Sequence, residues 1–554
     1  NALSSLGRSE AHILDTFNKL IRTLGRAVGV AEFGDVTDVP AVTYSLGERL
    51  LQEHTDEIFG TPTPQRAVRI MVTLPSEAAT NLALITQLLV RGMDCARINC
   101  AHDDRETWQA MIENLRRAEQ QTGKPCRVLM DLAGHKIRTG PLHSEQAVLH
   151  IKPQKNHLGW ITRQALVLLE DAEPSPLAAI PRLQNRFRLQ IPAALIDRLA
   201  AGDRLTFDDA RGKERNLNVL YRDSDRRWVA QSPKSAFITP DTAIHHLDRD
   251  GNEIPTTGKP YRFNDIPLRN TNIRVYEGDP LMLCRDGKAG TPAILNEQDE
   301  IVTPARITCS SPQALDSLMP GHAVWIDDGK IGTEVEEIVA EGALLRVTHV
   351  GPNGARIKAD KGLNFPDSRL ELPALSEKDL RDLDFVARHA DLVGFSFVQC
   401  LNDMNCLINE LKARDAAHLP IAAKIETRRA VVNFPDIVLG TLGRHPLAVM
   451  IARGDLAVEL GGERMVEIQE ELLWLCEAAH VPVIWATQVL ETLTKKGVAS
   501  RPELTDAAMG ERAECVMLNK GRYILEAVDM LDGILTRMRA HQRKKRSQLR
   551  ALHW

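Results

Sequence analysis

Eight short apolar runs, each followed by a helical pattern, limit what this chain can fold into more than any other feature. Three come early: AVRIMVTL from Ala67, MDCARIN from Met93 and CRVLMDL from Cys126. The rhythm breaks at Gly140 and resumes near Leu375 with ADLVGFSF, LPIAAKI, LAVMIAR, VPVIWAT and ECVML. Runs this short and continuous are typical of parallel strands buried on both faces. Eight such units are the count for a closed (β/α)8 barrel, an α/β fold, with its parts at 66–140 and 371–540. Helices are expected over about 77–91, 104–120 and 377–389.

The interruption at 141–370 reads as an inserted all-β lid after the third strand. It has short alternating runs and many Gly, Pro, Asp and Asn residues. LAAGDRLTFDDARGKERNLNV at 199–219 resembles LMPGHAVWIDDGKIGTEVEEI at 318–338, which predicts two copies of one β module, at about 141–265 and 266–370. Residues 1–65 form a helical extension with patterns at Ala11–Ala27 and Ser45–Ile58, separated by a loop rich in Gly, Asp, Val and Pro. Ile13, Leu14, Phe17, Leu20, Ile21 and Leu24 share one helix face, which leaves open whether the unit packs on the barrel or mediates homo-oligomers. The stretch after about Arg537, ending in a basic tail at 541–554, reads as a solvated helix end.

Charge excludes some functions. With 69 basic and 74 acidic side chains, a formal −5, nothing calls for nucleic-acid or membrane partners. The 9 cysteines form no zinc-type pairs and read as reduced thiols. No apolar run approaches membrane-spanning length and no signal pattern opens the chain, so the expected location is cytoplasmic.

Two runs end abruptly in charge: IAAKIE on Lys424 and Glu426, and LAVMIARGD on Arg453, Gly454 and Asp455. The carboxyl ends of barrel strands form the active face, so Asp, Glu or Lys there reads as chemistry more often than packing. Two carboxylates on neighbouring strand ends suit a hard divalent cation. Either segment alone has a bland reading, a solvated strand-end ion pair. Their joint occurrence weighs against it.

With these motifs in order, the barrel resembles pyruvate kinase. The segments that carry the likeness are ARINCAH at 96–102, MDLAGHKIRTG at 130–140, WIDDG at 325–329, DKGLNFPD at 360–367, LPALSEKD at 372–379, AKIE at 423–426, MIARGDLAVE at 450–459 and ATQVLETL at 486–493. The family's lid is inserted after the same strand. The resemblance implies Mg²⁺-dependent (or Mn²⁺-dependent) phosphoryl transfer between phosphoenolpyruvate and ADP, giving pyruvate and ATP. It makes Glu426 and Asp455 the metal ligands, and Lys424, Arg97 and Thr487 the catalytic residues. Arg453, Gly454, Ser396, Phe397 and Thr487 would line the substrate pocket, and Asn99, His102, Arg138, Lys361 and Asp328 the nucleotide side. Singly, Lys424, Thr487 or His102 also reads as a strand-end lysine, a turn residue or a packed histidine.

Three departures qualify the likeness. At the family's potassium site Asn99 and Asp131 are retained, but Ala101 and Leu132 supply no side-chain oxygen, so K⁺ is not expected to be required. Lys136 stands where potassium-dependent members have Glu, and a tethered ammonium could replace the missing charge. The last strand continues MLNKGRYILEAV at 517–528, so the family's Ser-Gly-Glu-Thr is lost and enolate protonation is put in doubt. The chain also stops about where the barrel ends, so the effector control of the family's C-terminal domain is expected to be absent. Two rival readings follow: a non-catalytic sensor of phosphoenolpyruvate or nucleotide, and a metal-enolate enzyme acting on another oxo-acid.

Overall fold

The computed structural model describes residues 10–29, 42–145, 147–171, 186–224, 226–256, 258–266, 269–270, 272–539, 541–543 and 546–547. Most of the loop between the two N-terminal helices and most of the basic tail lie outside them. No helix among the described residues is long and apolar enough to cross a membrane.

The eight runs form one closed parallel barrel: Arg69–Thr73, Cys95–Asn99, Arg127–Asp131, Leu392–Phe395, Ile421–Ile425, Leu447–Ala452, Val483–Ala486 and Cys515–Leu518. Pairing of Arg69 with Cys515 and of Ile70 with Val516 closes it. Period-two alternation sends side chains both ways. One set, including Val72, Ile98, Val128, Ile421 and Val449, packs under the outer helices. The other, Met71, Cys95, Leu129, Ala422, Met450, Ile484 and Met517, fills the interior. That second set explains why the barrel has no open pore.

The helix Tyr44–Phe59 adds Ile58 and Phe59 to this interior cluster. Arg69, on the first strand, donates to the Gly60 carbonyl and pairs with Asp56, so this helix is fastened where the barrel strands begin. The preceding helix, Ile13–Ala27, buries only Asp15, Asn18 and Gly25.

Local capping sets the helix limits. Asp104 caps Arg105–Thr122, and a reciprocal Ser376–Asp379 box starts Glu377–His389. The helix expected over 77–91 is split: Ser76–Ala79 is a 3₁₀ turn, and the α-helix Leu82–Arg91 begins only after Asn81, whose side chain accepts from Leu84 N–H at 3.1 Å. The basic end also differs from expectation. The last helix stops at Met538, His541 N–H turns back to the Met538 carbonyl, and Gln542–Arg543 pairs antiparallel with Arg546–Ser547.

The chain forms two compact units: 1–140 with 274–288 and 306–554, and 141–273 with 289–305. The second contains a seven-stranded sheet in which four successive strands run Arg204–Asp208, Glu214–Ser224, Arg227–Ser232, Ala165–Glu170. The first contains, beside the barrel, a six-stranded sheet whose central four run Ala323–Ile326, Ile331–Val339, Gly342–His349, Pro280–Cys284. The order and sequence of connections are the same. Equivalent hydrogen bonds recur as well: Gly202 N–H to Val219 O at 2.9 Å and Val219 N–H to Asp203 O at 2.8 Å match Gly321 N–H to Val335 O at 2.8 Å and Val335 N–H to His322 O at 2.9 Å. Gly202 and Gly321 both hold positive φ, 99° and 88°, which fixes glycine at the start of each hairpin.

Candidate active site

The barrel's apolar filling ends where the strands do, and the next layer is charged. Lys424, one residue before the end of its strand, is buried with its Nζ 3.4 Å from Asp131, 3.1 Å from Glu426 and 2.7 Å from the Ser396 hydroxyl. Burial disfavours the ammonium, but Asp131 and Glu426 outweigh it and hold the Lys424 pKa above its usual value. Asp131 also accepts from Arg97, at 2.9 Å through Nε and again through Nη2, while Arg97 Nη1 donates to Thr73 at 3.0 Å. Despite burial, these two cations keep Asp131 below the ordinary carboxylate range.

Glu426 is less well compensated. Its Oε2 accepts from Phe397 N–H at 2.8 Å, and Phe397 holds φ of 57° to make that bond. Burial pushes its carboxyl up, Lys424 opposes, and the Asp455 charge adds to the rise. Asp455, in the first turn of the helix Arg453–Leu460, is 3.0 Å from Lys136 Nζ.

A positive-φ turn supports the far wall. Thr487 and Gln488 have φ of 66° and 60°. A β-branched residue there is strained and persists only if its surroundings enforce it. The Arg453 side chain does so: it stacks over Trp485 at 4.2 Å, pairs with Asp506, and donates to Ala486 O at 3.1 Å and Thr487 O at 2.7 Å. Thr487 Oγ1 in turn accepts from Gly454 N–H at 2.8 Å.

These side chains converge. A cavity of about 440 Å³ is lined by Arg97, Asn99, His102, Lys136, Arg138, Ser396, Phe397, Lys424, Glu426, Asp455 and Thr487 among others. A second, of about 430 Å³, shares Lys136, Ser396, Phe397 and Asp455 and extends to Glu459. Burial raises the Glu459 carboxyl to about 7, with Asn364 donating to it at 3.2 Å. His102 is held below its usual pKa by burial, then by the Lys520 charge. Arg138 donates to Asp360 O at 3.1 Å.

Not every expected residue points inward. Lys361 Nζ turns to Asp327 at 2.9 Å and does not line the 440 Å³ cavity, because Asp327 is the nearer carboxylate in the lid turn. Asp328 is largely exposed, 3.7 Å from Lys136. Arg453 acts as a prop beneath the Thr487 turn, leaving Gly454 N–H as the group nearest that hydroxyl. At the positions expected to form a degraded monovalent site, Asn99 Oδ1 is taken by Ala101 N–H at 3.1 Å, Asp131 is committed to Arg97 and Lys424, and the Leu132 carbonyl accepts from Ser396 at 2.7 Å.

The donor set fits a divalent ion. Glu426 and Asp455 are two carboxylates whose mutual repulsion a shared cation would relieve. Among the described residues no three or more His, Cys, Asp or Glu side chains gather as a metal cage, so water and substrate oxygens would complete the shell, the usual case for Mg²⁺.

The fold and site define a (β/α)8 barrel with a buried Lys–carboxylate cluster at its carboxyl face and an all-β insertion after the third strand. The chain belongs to the pyruvate kinase family: the family model for the pyruvate kinase barrel domain matches residues 65–165 and 247–528. It is 32% identical over 330 residues to a pyruvate kinase of Geobacillus stearothermophilus, covering 58% of this chain and 51% of that one. It is 36% identical over 221 residues to a pyruvate kinase of Candida albicans (39% and 42%), and 35% over 221 residues to the rat pyruvate kinase PKLR (39% and 37%). The matches thus span about half or less of each relative's length.

Proposed function

We propose that the chain is a phosphotransferase that moves the phosphoryl group of phosphoenolpyruvate to ADP with Mg²⁺ or Mn²⁺ bound between Glu426 and Asp455. The carrying observation is the Lys424 ammonium, buried between Asp131, Glu426 and Ser396 on the floor of the 440 Å³ cavity. Phosphoryl transfer asks a protein mainly for positioning and for positive charge placed in advance where negative charge builds up. Lys424 and Arg97 supply that charge, and Asp131 fixes both in place. Bound metal would neutralise carboxylate and phosphate charge and polarise the enolate oxygen. The Thr487 hydroxyl, which accepts from Gly454 N–H, keeps its own proton to donate on the substrate side and can pass it toward the enolate carbon. Asn99, His102 and Arg138 line the same cavity on the side assigned to ADP.

Lys136 takes the place of a monovalent cation in this reading, its ammonium already 3.0 Å from Asp455. The same contact favours a second reading, a binding protein without turnover, because the ammonium sits on a carboxylate that the metal needs. A coupled assay for pyruvate, run beside calorimetry with oxalate and Mg²⁺, separates the two. Turnover with Mg²⁺-dependent oxalate binding supports the kinase. Binding without turnover would replace it by the sensor.

A further inference from the structure

The segment LPALSEKD at 372–379 carries part of the family likeness, yet the proposed chemistry uses none of its side chains. It opens the helix Glu377–His389, and two of its residues reach from that helix start to different loops at the carboxyl end of the barrel. Lys378 Nζ donates to Cys100 O at 2.6 Å, and Asp379 accepts from Gly134 N–H at 3.2 Å. Cys100 lies just past the second barrel strand and Gly134 just past the third.

Neither contact is needed to start the helix. Capping is complete without them: Asp379 accepts from Ser376 N–H at 3.0 Å and from its hydroxyl at 2.6 Å, and Ser376 accepts in return from Asp379 N–H at 3.1 Å. The bond to Gly134 is additional and uses the other carboxylate oxygen, on a residue that is 0% exposed. Releasing Gly134 would leave a charged acceptor unpaired and out of reach of water, so the bond holds the loop firmly. Lys378 likewise has a local partner in Asp382, one turn on, and still reaches across to Cys100 O with its ammonium 5.2 Å from the Trp108 ring.

What the two loops carry gives these contacts their consequence. The first is the tight turn that presents Asn99 and His102, closed by His102 N–H to Asn99 O at 3.0 Å and Ala101 N–H to Asn99 Oδ1 at 3.1 Å. Its Cys100 carbonyl is taken by Lys378 and its His102 carbonyl by Trp108 Nε1 at 2.9 Å, while Trp108 packs edge-on against Phe385 of the same helix. The second loop leads to Lys136 and Arg138. Gly134 holds φ of 63° there, and a Cβ on it would stand 2.9 Å from Ser396 Cβ, so this loop lies directly on the residue that bonds Lys424.

We propose that Lys378 and Asp379 are positioning residues, a clamp that sets the Asn99–His102 turn and the Gly134–Arg138 loop from one helix start. The consequence for ligands rests on the kinase reading above: Lys378 acts on ADP affinity through the first loop and leaves the metal and oxalate end of the cavity unchanged.

Hydrogen exchange on the full chain tests the clamp, and calorimetry reads its effect on ligands. Lys378→Met is combined with Asp382→Asn, so that buried Asp382 does not lose its partner while charged. This pair should speed amide exchange at 99–103 and weaken ADP binding in Mg²⁺ about tenfold, while oxalate binding in Mg²⁺ stays within about twofold. Lys378→Arg, which can still donate to Cys100 O, should keep both near wild type. Asp379→Ala should speed exchange at 133–137. Ser376→Ala, which weakens the cap but spares the bond to Gly134, should not. Unchanged exchange at 99–103 in the Lys378 pair, equal losses of ADP and oxalate affinity, or the same loosening of 133–137 in Ser376→Ala would each overturn the clamp. A wild-type chain that binds no ADP, with exchange responding as expected, would overturn the kinase reading and leave the clamp supported.

Discussion

Replacing Lys424 by Met keeps the bulk of the side chain and deletes the charge. Two carboxylates lose a partner, but unequally. Asp131 keeps Arg97 at 2.9 Å, whereas Glu426 keeps only the Phe397 N–H. At 3.1 Å and an effective dielectric of about 20, the Lys424–Glu426 attraction is about 5 kcal/mol before desolvation, and breaking a buried pair commonly costs about 3–5 kcal/mol. Glu426 has an escape. Its pKa is already raised by burial, and losing Lys424 raises it further, so protonation can recover part of that loss. The fold should therefore survive with a drop of a few degrees in Tm. Catalysis has no such escape, because a protonated Glu426 neither ligates metal well nor replaces a cation at the transferring phosphate. Turnover should fall on the order of 10²-fold or more, the usual cost of a lost transition-state charge. A coupled pyruvate assay reads kcat, a melt checks the fold, and calorimetry with Mg²⁺ and oxalate reads the site. Activity within a few-fold of wild type, with the fold intact, would show that the lysine only balances charge in the barrel floor.

Asp455→Asn should weaken Mg²⁺ binding in the presence of oxalate at least tenfold while leaving Tm nearly unchanged; unchanged affinity would place the metal elsewhere. Arg453→Lys should keep charge near Asp506 but lose the fork that holds the Thr487 turn, lowering kcat more than it raises KM; an equal change in neither would show that the turn holds itself. Activity should be the same in K⁺ and in tetramethylammonium, given the commitments of Asn99 and Asp131, and strong K⁺ activation would refute that. Glu511 offers a stability test away from the site: burial lifts its carboxyl from 4.5 to about 8, so the folded state holds a proton that the unfolded chain releases. That contribution is complete below pH 4.5 and lost as pH rises toward 8, so the Tm of Glu511→Gln should gain on wild type across that window. A constant difference would mean that the carboxyl is not buried.

The barrel was legible because each strand is a continuous apolar run with an abrupt polar end, a pattern that helices under the sheet do not produce. Lys424, Glu426 and Asp455 were singled out for the same reason, being the charges at those ends. What escaped were contacts between distant segments. Lys136 meets Asp455 across 319 residues, and nothing local to either predicts it. Asp131 read as a remnant cation ligand, yet it holds Arg97 and Lys424 in register, a role set by strand pairing of Arg97 with Leu129 and Asn99 with Asp131. Lys378, which lines the cavity, was not singled out; its Nζ donates to Cys100 O at 2.6 Å. Asp506 gave no signal, though it fixes the arginine beneath Thr487. The N-terminal helix was seen as one apolar face, but the direction in which that face points depends on Asp15 and Tyr44, 29 residues apart.

The two β-sheets of like strand order show how little of a site a shared strand order carries with it. Each copy ends its first hairpin strand in an aspartate pair, Asp208–Asp209 and Asp327–Asp328. In the first copy the chain runs past both before turning, with Gly212 at φ of 66° and Asp209 N–H bonded to Lys213 O at 2.9 Å. Asp209 is thereby buried, and Arg211, bonded through its side chain, helps pull its carboxyl to about 2 against that burial. In the second copy Asp327, Asp328 and Gly329 all take positive φ, 57°, 54° and 84°, so the turn closes at the pair itself. Asp327 is then the one bonded inward, to Lys330 and Lys361, and Asp328 is left pointing out beside Lys136. Identical strand order therefore delivers opposite members of the pair to the surface. If Asp328 serves the site, its role rests on this left-handed turn. Deleting Gly329, which a tight turn needs at that φ, should detach Asp328 from Lys136 while the sheet registers Ala323 with Glu334 and Val324 with Thr333 persist. Chemical-shift perturbation at Lys136 reads the first effect and amide protection in the strand pair the second; loss of both together would mean that the turn is structural for the module.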